Sequence, residues 1–110
     1  EANNSAYLNR GVVISKYSGA RGKSGCSDAS AELLSKLTRA FDKSGVVWQI
    51  GEYGKVDQGG AGTVSSEIAH FGIDVIDCGV PLLSMHSPYE IASKLDIYMA
   101  YKAYKAFYNN

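Results

Sequence analysis

The chain has 110 residues, 45% of them hydrophobic, and its eleven Lys and Arg residues balance eleven Asp and Glu residues. Its length allows at most one domain, and its neutral charge, the absence of a long apolar run and an N-terminus without a signal pattern argue against nucleic-acid binding, a membrane span and secretion. Cys26 and Cys78 lack metal-ligand spacing with each other and are too few for a disulfide framework, which predicts a cytoplasmic protein with free thiols.

The first half of the chain alternates predicted strands with a helix. β-Branched residues predict strands at 11–17 and 46–50, and 18–27 is predicted as a loop. A helix is predicted from about Asp28, its N-cap, to about Ser44, with Gly45 at the C′ position. Its apolar residues fall on one face at helical spacing, which predicts that they face the core: Leu33, Leu34, Leu37, Ala40 and Phe41.

The second half begins with a glycine-rich loop at 51–62. Thr63 is predicted to cap a short helix that ends at Gly72, and 73–83 is predicted as a third, buried strand region. Ser93 and Asp96 predict a capping box for a final helix that ends near residue 108. This order of elements predicts an α/β fold in which helices cover a sheet. In the short helix, three residues are predicted to face inward: Val64, Ile68 and Phe71.

The final helix carries a stripe of tyrosines interleaved with lysines. One interpretation is an aromatic and basic surface for nucleic acid. The other, which the neutral charge favours, is that the tyrosines bury their rings and keep their hydroxyls wet while the lysines face solvent. The residues of this stripe are Tyr98, Tyr101, Lys102, Tyr104, Lys105 and Tyr108.

Two glycine-containing segments look like phosphate sites, and neither fits the known patterns. Gly22-Lys23-Ser24 lacks the first glycine of a P-loop, because Tyr17 stands in its place. The segment 60–65 has two of the three glycines of a dinucleotide fingerprint and no acidic residue at the required distance. The sequence therefore predicts no nucleotide cofactor.

His86 lies in a polar segment that follows the third strand region. Pro88 restricts the backbone there and biases Ser87 towards extended geometry. An imidazole whose orientation is fixed before an ion arrives is a good metal ligand. An ordinary structural histidine is the alternative.

Five segments together carry a resemblance to a known family: GVVISKY (11–17), GARGK (19–23), SDASAE (27–32), GKVDQGGAGT (54–63) and SMHSPYE (84–90). Over essentially all 110 residues the chain resembles the C-terminal part of the catalytic domain of the aspartyl-aminopeptidase-like family, the eighteenth metallo-aminopeptidase family. The first and fourth segments look most like its bacterial branch. The resemblance implies a three-layer, zinc-exopeptidase-like (phosphorylase/hydrolase-like) fold, of which residues 1–110 would be a C-terminal fragment.

The resemblance also implies chemistry. Family members use two zinc ions about 3.5–4 Å apart to hydrolyse the N-terminal bond of a peptide, and cobalt or manganese are alternative metals. His86 matches the last metal-binding histidine. The chain has no adjacent glutamate pair, so the general base and the other ligands would lie outside it, and the fragment alone is expected to be inactive.

Substrate contacts follow from the same resemblance. Lys16, Arg21 and Lys23 are candidates to recognise an acidic N-terminal side chain, and the alternative is that they are solvated loop residues. A second group matches the loop that lines the substrate cleft. The family assembles into homo-oligomeric dodecamers and acts on peptides, with no nucleic acid or membrane partner implied. A non-catalytic α/β piece used for interaction or assembly is the alternative. The cleft-lining candidates are Gly59, Gly60, Gly62 and Thr63.

Overall fold

The computed structural model describes residues 5–20, 24–52 and 63–110. In this part of the chain, helices and short strands form a mixed α/β arrangement, as the sequence predicts. No helix in the described ranges has the length and apolar character needed to cross a membrane. The elements are β1 (Val12–Ser15), β2 (Tyr17–Ala20), β3 (Ser24–Asp28), α1 (Ala31–Lys43), β4 (Trp48–Ile50), α2 (Val64–Ala69), β5 (Asp77–Gly79), β6 (Leu82–Leu83), β7 (Ile91–Ala92) and α3 (Lys94–Tyr108).

The central sheet has three strands in the order β4-β1-β5. β1 pairs with β4 in parallel, with Val12 opposite Trp48. β1 pairs with β5 antiparallel, with Ser15 opposite Asp77. The last residues of β1 and β4 and the first residue of β5 therefore meet at one edge of this sheet.

The core lies between one face of this sheet and the two long helices. Val12 and Ile14 are fully buried, and alternation along the strand places both on the same face. Each such aliphatic side chain contributes about 1.5–3 kcal/mol when it is buried. The small side chains of α3 let its backbone approach the sheet closely. The helix residues buried in this cluster are Leu37 and Phe41 of α1 and Ala100, Ala103 and Ala106 of α3.

The region from 17 to 30 differs from its prediction. β2 and β3 pair antiparallel where a loop was expected, and this pairing extends to Asp28. Asp28 therefore forms an ion pair with Lys16 and is not a helix cap. The N-cap is Ser30, whose Oγ accepts a hydrogen bond from the Leu33 N–H at 3.1 Å. At the other end of α1 the prediction is confirmed, since Gly45 follows the C-cap with a φ of +64°.

The predicted strand region at 73–83 is divided and less buried than expected. Ile73 is 57% exposed, and β5 and β6 belong to different sheets. The predicted inward face of α2 is also wrong, because Val64 and Phe71 are 74% and 81% exposed. Only six residues form this helix, and the side chains it buries are polar: Ser65 and Ser66.

Asp96 ties the start of the last helix to the entrance of β1. Its carboxylate is 1% exposed and accepts hydrogen bonds from the N–H groups of Asn9 and Gly11, each at 2.8 Å. Ser93 caps α3 as predicted by accepting from the Leu95 N–H, but Asp96 does not complete a capping box. Gly11 has a φ of +87°, and a Cβ there would lie 2.1 Å from the Val47 carbonyl oxygen, so only glycine fits.

The tyrosines of α3 are less buried than the preferred interpretation predicted. Tyr98 and Tyr101 are 55% and 58% exposed, and Lys105 Nζ lies 6.0 Å from the centre of the Tyr101 ring. Tyr104, by contrast, makes a contact between elements. Its hydroxyl donates a hydrogen bond to the Cys78 carbonyl oxygen at 2.9 Å and so joins α3 to β5. Lys102 is also engaged, because its Nζ donates to the Gly45 carbonyl oxygen.

Replacement of Asp96 with alanine should destabilise the protein by about 3 kcal/mol. It would leave the buried Gly11 N–H without an acceptor, at a cost of roughly 1–3 kcal/mol, and would remove the partner of the part-buried Asn9 N–H. Urea unfolding monitored by circular dichroism measures the change. Glu90→Ala, at an exposed carboxylate, is the matched control and should unfold like the unmodified chain. Equal midpoints for the two variants would show that the Asp96 contacts contribute little.

Candidate metal and substrate site

Several polar groups meet at the sheet edge formed by the ends of β1, β4 and β5. Ser15, 7% exposed, donates from Oγ to the Gly51 carbonyl oxygen at 2.8 Å. The Gly51 N–H donates to the Ile14 carbonyl oxygen at 3.1 Å. These contacts fix the point where β4 ends, and place Glu52 and Asp77 beside the same edge.

A cleft of about 550 Å³ opens on the sheet face opposite the helices. Val13 and Ser15 alternate with the core residues of β1 and so line this side. At the strand ends the cleft is bordered by Glu52 and Asp77, and its far wall reaches Met85, next to His86. Polar groups in a largely apolar cleft are the usual setting of a small-molecule or peptide site.

His86 lies in an exposed turn between β6 and β7. Its φ is +68° and that of Ser84 is +55°, a left-handed backbone that side chains rarely adopt. The turn is closed by the Ser87 N–H, which donates to the Ser84 carbonyl oxygen at 3.0 Å. Unusual backbone of this kind is concentrated at functional sites. The predicted stiffness around His86 is therefore supplied by the turn as well as by Pro88.

The imidazole of His86 could serve as one ligand of a metal ion. It forms no hydrogen bond or ion pair with the described residues, so either ring nitrogen is available. In the described ranges, however, no three His, Cys, Asp or Glu side chains form a cluster that could hold a metal ion. The remaining ligands of a zinc ion at His86 would come from elsewhere, as the family resemblance implies.

The other histidine has a different setting. His70 is the C-cap of α2, and its side chain is 78% exposed. Its Nδ1 lies 4.0 Å from Glu67 Oε2, three residues earlier on the same helix. His70 therefore lies at a helix C-terminus, and no metal role follows from this setting.

Among the predicted substrate contacts, Lys16 and Thr63 are described. Lys16 forms an ion pair with Asp28 while its side chain stays 41% exposed, so its charge is shared but accessible. Thr63 lies at the N-cap of α2, and its Oγ1 donates to Asp77 Oδ2 at 2.8 Å. The remaining predicted contacts lie outside the described residues: Lys23 and Arg21, and Gly59, Gly60 and Gly62.

Glu52 is a carboxyl group of the candidate site that the sequence analysis did not identify. Its Oε2 atom is buried without a hydrogen-bond partner. Burial raises the pKa of this carboxyl group, opposed by the N–H groups of Tyr17 and Lys16 and by the Lys16 charge. A lone glutamate after a strand carries no sequence signal, and only the packing of the edge reveals it.

Cys78 lies on the neighbouring strand, where burial disfavours its thiolate form. Burial, with a smaller contribution from the Asp77 charge, raises its pKa to about 11. The thiol is therefore protonated near neutral pH, whereas metal binding and nucleophilic attack need the thiolate. Its carbonyl oxygen, which accepts from Tyr104, is the part of Cys78 that joins two elements.

The fold matches part of solved aminopeptidase structures. The crystal structure of aminopeptidase I from Clostridium acetobutylicum covers the whole chain with a TM-score of 0.93 and 55% identity, over 24% of its own length. An M18-family aminopeptidase structure from Thermotoga maritima covers 96% of the chain with a TM-score of 0.90 and 46% identity, over 24% of its length. This chain is therefore similar to about a quarter of each of these aminopeptidase structures.

The family itself is shown by sequence. Residues 1–108 match the family described as aminopeptidase I zinc metalloprotease (M18), and the chain belongs to that family. A curated relative, the probable M18 family aminopeptidase 1 of Clostridium acetobutylicum, is 56% identical over 110 residues, which are 24% of its length. The chain thus spans about a quarter of the length of the curated relatives it matches.

Glu52→Gln should make stability less dependent on pH. The unfolded chain ionises Glu52 near 4.5, whereas the raised pKa keeps the folded carboxyl group protonated to higher pH. The folded state then binds more protons, so stability falls as pH rises from about 4.5 through the folded pKa. Urea midpoints from pH 4 to 8 should show the variant gaining stability over the unmodified chain with rising pH, unlike Glu90→Gln. Parallel curves would contradict the burial of this carboxyl group.

Proposed function

We propose that residues 1–110 are the C-terminal part of the catalytic domain of a longer zinc-dependent aminopeptidase that removes N-terminal residues from peptides. The observation that carries this proposal is the position of His86. It lies, exposed and on a constrained left-handed backbone, next to the end of the cleft, in a chain whose family is a zinc metalloprotease family. The 110 residues alone would be inactive, because their sequence lacks the adjacent glutamate pair that would supply the general base.

The fold proposal is a three-layer, zinc-exopeptidase-like domain. In the described ranges α1 and α3 cover the sheet face that carries Val12 and Ile14. The opposite face, with Val13, borders the open cleft. The remaining residues of a longer chain would supply the third layer over that face and extend the sheet beyond β4 and β5.

His86 would donate one ring nitrogen to one metal ion. Two zinc ions supply Lewis-acid polarisation of the scissile carbonyl group and lower the pKa of a water molecule; cobalt or manganese would be alternatives. The turn from Ser84 to Ser87 orients the imidazole before binding, which limits the entropy lost when the ligand is fixed. The cleft wall from Met85 to Asp77 would exclude bulk water from one side of the peptide.

Oligomeric state and location are further proposals. Several large apolar side chains of α3 stay at least half exposed, including Leu95, Tyr98 and Phe107. Such a surface is normally covered by other parts of a protein, here by the rest of the chain or by another subunit of a homo-oligomer. We place the protein in the cytoplasm because Cys78 carries a free thiol.

The metal proposal is tested by His86→Ala in the full-length protein that contains these residues. The variant should lose one of two zinc ions and several orders of magnitude in kcat. Its circular dichroism spectrum should not change, because His86 is exposed and lies outside the core. Zinc content, turnover of aminoacyl-nitroanilides and the spectrum are the three measurements.

Two controls accompany this test. His70→Ala changes the other exposed histidine and should keep both zinc ions and normal turnover. The isolated 110 residues should show no turnover at any added zinc or cobalt concentration. Two zinc ions and near-normal turnover in His86→Ala would instead favour a structural histidine and a non-catalytic role for this segment.

A finer proposal is that the enzyme belongs to the aspartyl-aminopeptidase-like bacterial branch of the family and prefers peptides with acidic N-terminal residues. Variants of Lys16 test this preference. Lys16→Met should lower kcat/KM for glutamyl substrates relative to leucyl ones, whereas Asp28→Asn should raise it by releasing the ammonium group. Lys36→Met, on the exposed side of α1, is the charge-matched control. A leucyl preference that none of these variants alters would show that Lys16 does not contact the substrate side chain.

A further inference from the structure

A groove lies between the two long helices, away from the cleft. It consists of two neighbouring cavities of about 420 and 390 Å³, which share Ala40, Lys43 and Asn110, and is called the α1–α3 groove below. Both helices pack on the sheet face that carries Val12 and Ile14, whereas the cleft opens on the other face. The groove and the cleft are therefore on opposite sides of the sheet.

The floor of the groove is apolar. Leu33, Leu37 and Ala40 follow one another at helical spacing along α1, and Phe107 of α3 lines the same cavity with half of its surface exposed. From Leu33 to Lys43 the helix rises about 15 Å, which is the length of roughly ten residues of another helix. The groove thus has the dimensions of a site for a short amphipathic helix.

The rim of the groove is positively charged. Among the described residues, five cationic side chains line the two cavities and no carboxylate does, although the chain as a whole has no net charge. A surface of one sign in a neutral chain marks a place where an opposite charge is favoured. The five cations are Lys36, Arg39, Lys43, Lys102 and Lys105.

Structural roles account for three of these cations and leave two without one. Lys102 donates to a carbonyl oxygen just past the end of α1, and Lys43 and Lys105 lie in the last turns of their helices, where the helix dipole favours a cation. Lys36 and Arg39 lie in the middle of α1, and neither forms an ion pair with the described residues. Their charges are therefore available to a partner.

The cations of α1 also repel one another. Lys36, Arg39 and Lys43 are three and four residues apart, so they are neighbours on one side of the helix, where like charges are destabilising. The acidic residue within this stretch is Asp42, and it accepts a hydrogen bond from the Trp48 indole N–H at 2.9 Å instead. An anionic partner in the groove would relieve this repulsion.

We propose that the α1–α3 groove binds an acidic amphipathic segment of a partner protein. The apolar side of the segment would pack on Leu33, Leu37 and Phe107, and its carboxylates would pair with Lys36 and Arg39. Complementary charge identifies this occupant, because cations around an apolar groove favour acidic partners and exclude basic ones. The inference does not depend on the peptidase activity proposed above.

The same charges argue against a second copy of the chain as the occupant. In a two-fold dimer both subunits present the same surface. Two α1–α3 grooves facing each other would bring five cations against five, and like charges at an interface suppress association. A self-complementary dimer through this groove is therefore disfavoured.

Binding of a designed peptide to the full-length protein that contains these residues tests the inference. The probe is a fluorescent peptide of about 15 residues, with leucine at every third or fourth position and glutamate between, and an acetylated N-terminus protects it from aminopeptidases. Fluorescence anisotropy should show saturable binding that weakens as salt is added. The same peptide with lysine in place of glutamate, or with serine in place of leucine, should bind about tenfold more weakly or not at all.

Charge reversal in the groove gives the second measurement. The double variant Lys36→Glu with Arg39→Glu should lose about tenfold or more in affinity for the acidic peptide. The matched control, Lys94→Glu with Arg10→Glu, makes the same change of charge at two exposed cations that line neither cavity, and should bind like the unmodified protein. If the first variant does not fold by circular dichroism, Lys36→Gln with Arg39→Gln replaces it and should show a smaller loss of the same kind.

Four results would overturn the inference. Absence of binding would show that the rest of the chain or another subunit covers the groove. Equal binding by the two double variants, or by the basic or serine-containing peptides, would show that these cations or the apolar floor do not form the site. A single-stranded oligonucleotide of equal charge that binds more tightly than the peptide through Lys36 and Arg39 would make the partner a nucleic acid. Competitive inhibition of aminoacyl-nitroanilide turnover would place the peptide in the cleft.

Discussion

The buried carboxylate of Asp96 is the contact on which the arrangement of this chain depends. It accepts hydrogen bonds from the N–H groups of Asn9 and Gly11. Both residues have a positive φ, and neither N–H takes part in the hydrogen bonds of a sheet. A buried carboxylate is tolerated only when its oxygens are matched by donors. These two donors set the direction in which β1 enters the sheet, and β1 is the strand against which β4 and β5 pair.

The position of β1 in turn determines which polar groups meet. Because β4 is parallel to β1 and β5 is antiparallel, Ser15, Gly51 and Asp77 lie at one edge although they are far apart in sequence. The same alternation along β1 that buries Val12 and Ile14 under the helices leaves the other face for the cleft. The core and the cleft of the candidate site thus lie on opposite faces of the same strand.

Local signals in the sequence located the helices and strands β1 and β4, but they missed the β2–β3 pair and β7. The α1 face and Gly45 follow from helical spacing and from the need for positive φ, which are properties of nearby residues. The choice of Ser30 over Asp28 as the N-cap depends on how far the β2–β3 pairing extends, which is a contact between strands. Asp96 fits a capping-box pattern, and a more distant pair of N–H donors competes for it successfully.

The candidate site was predictable only where a motif marks it. His86 follows from the resemblance of its segment, although its left-handed backbone does not follow from any local pattern. The environment of Glu52 and the contacts of Asp77 depend on which strand ends share an edge, so no spacing in the sequence indicates them. The predicted roles of Gly59, Gly60, Gly62 and Lys23 stay predictions, since these residues lie outside the described ranges.

The contact between Asp96 and the residues before β1 also bears on how the chain acquires its structure during synthesis. The bonded partners are 85 and 87 residues apart, so nearly the whole segment must leave the ribosome before this contact can form. Until then the entrance of β1 has two unmatched donors, and Val12 and Ile14 lack the cover of α3. Contacts between such distant residues form slowly because a long loop must close first. The nascent segment therefore leaves the two core residues of β1 without the cover of α3 until this helix has been made.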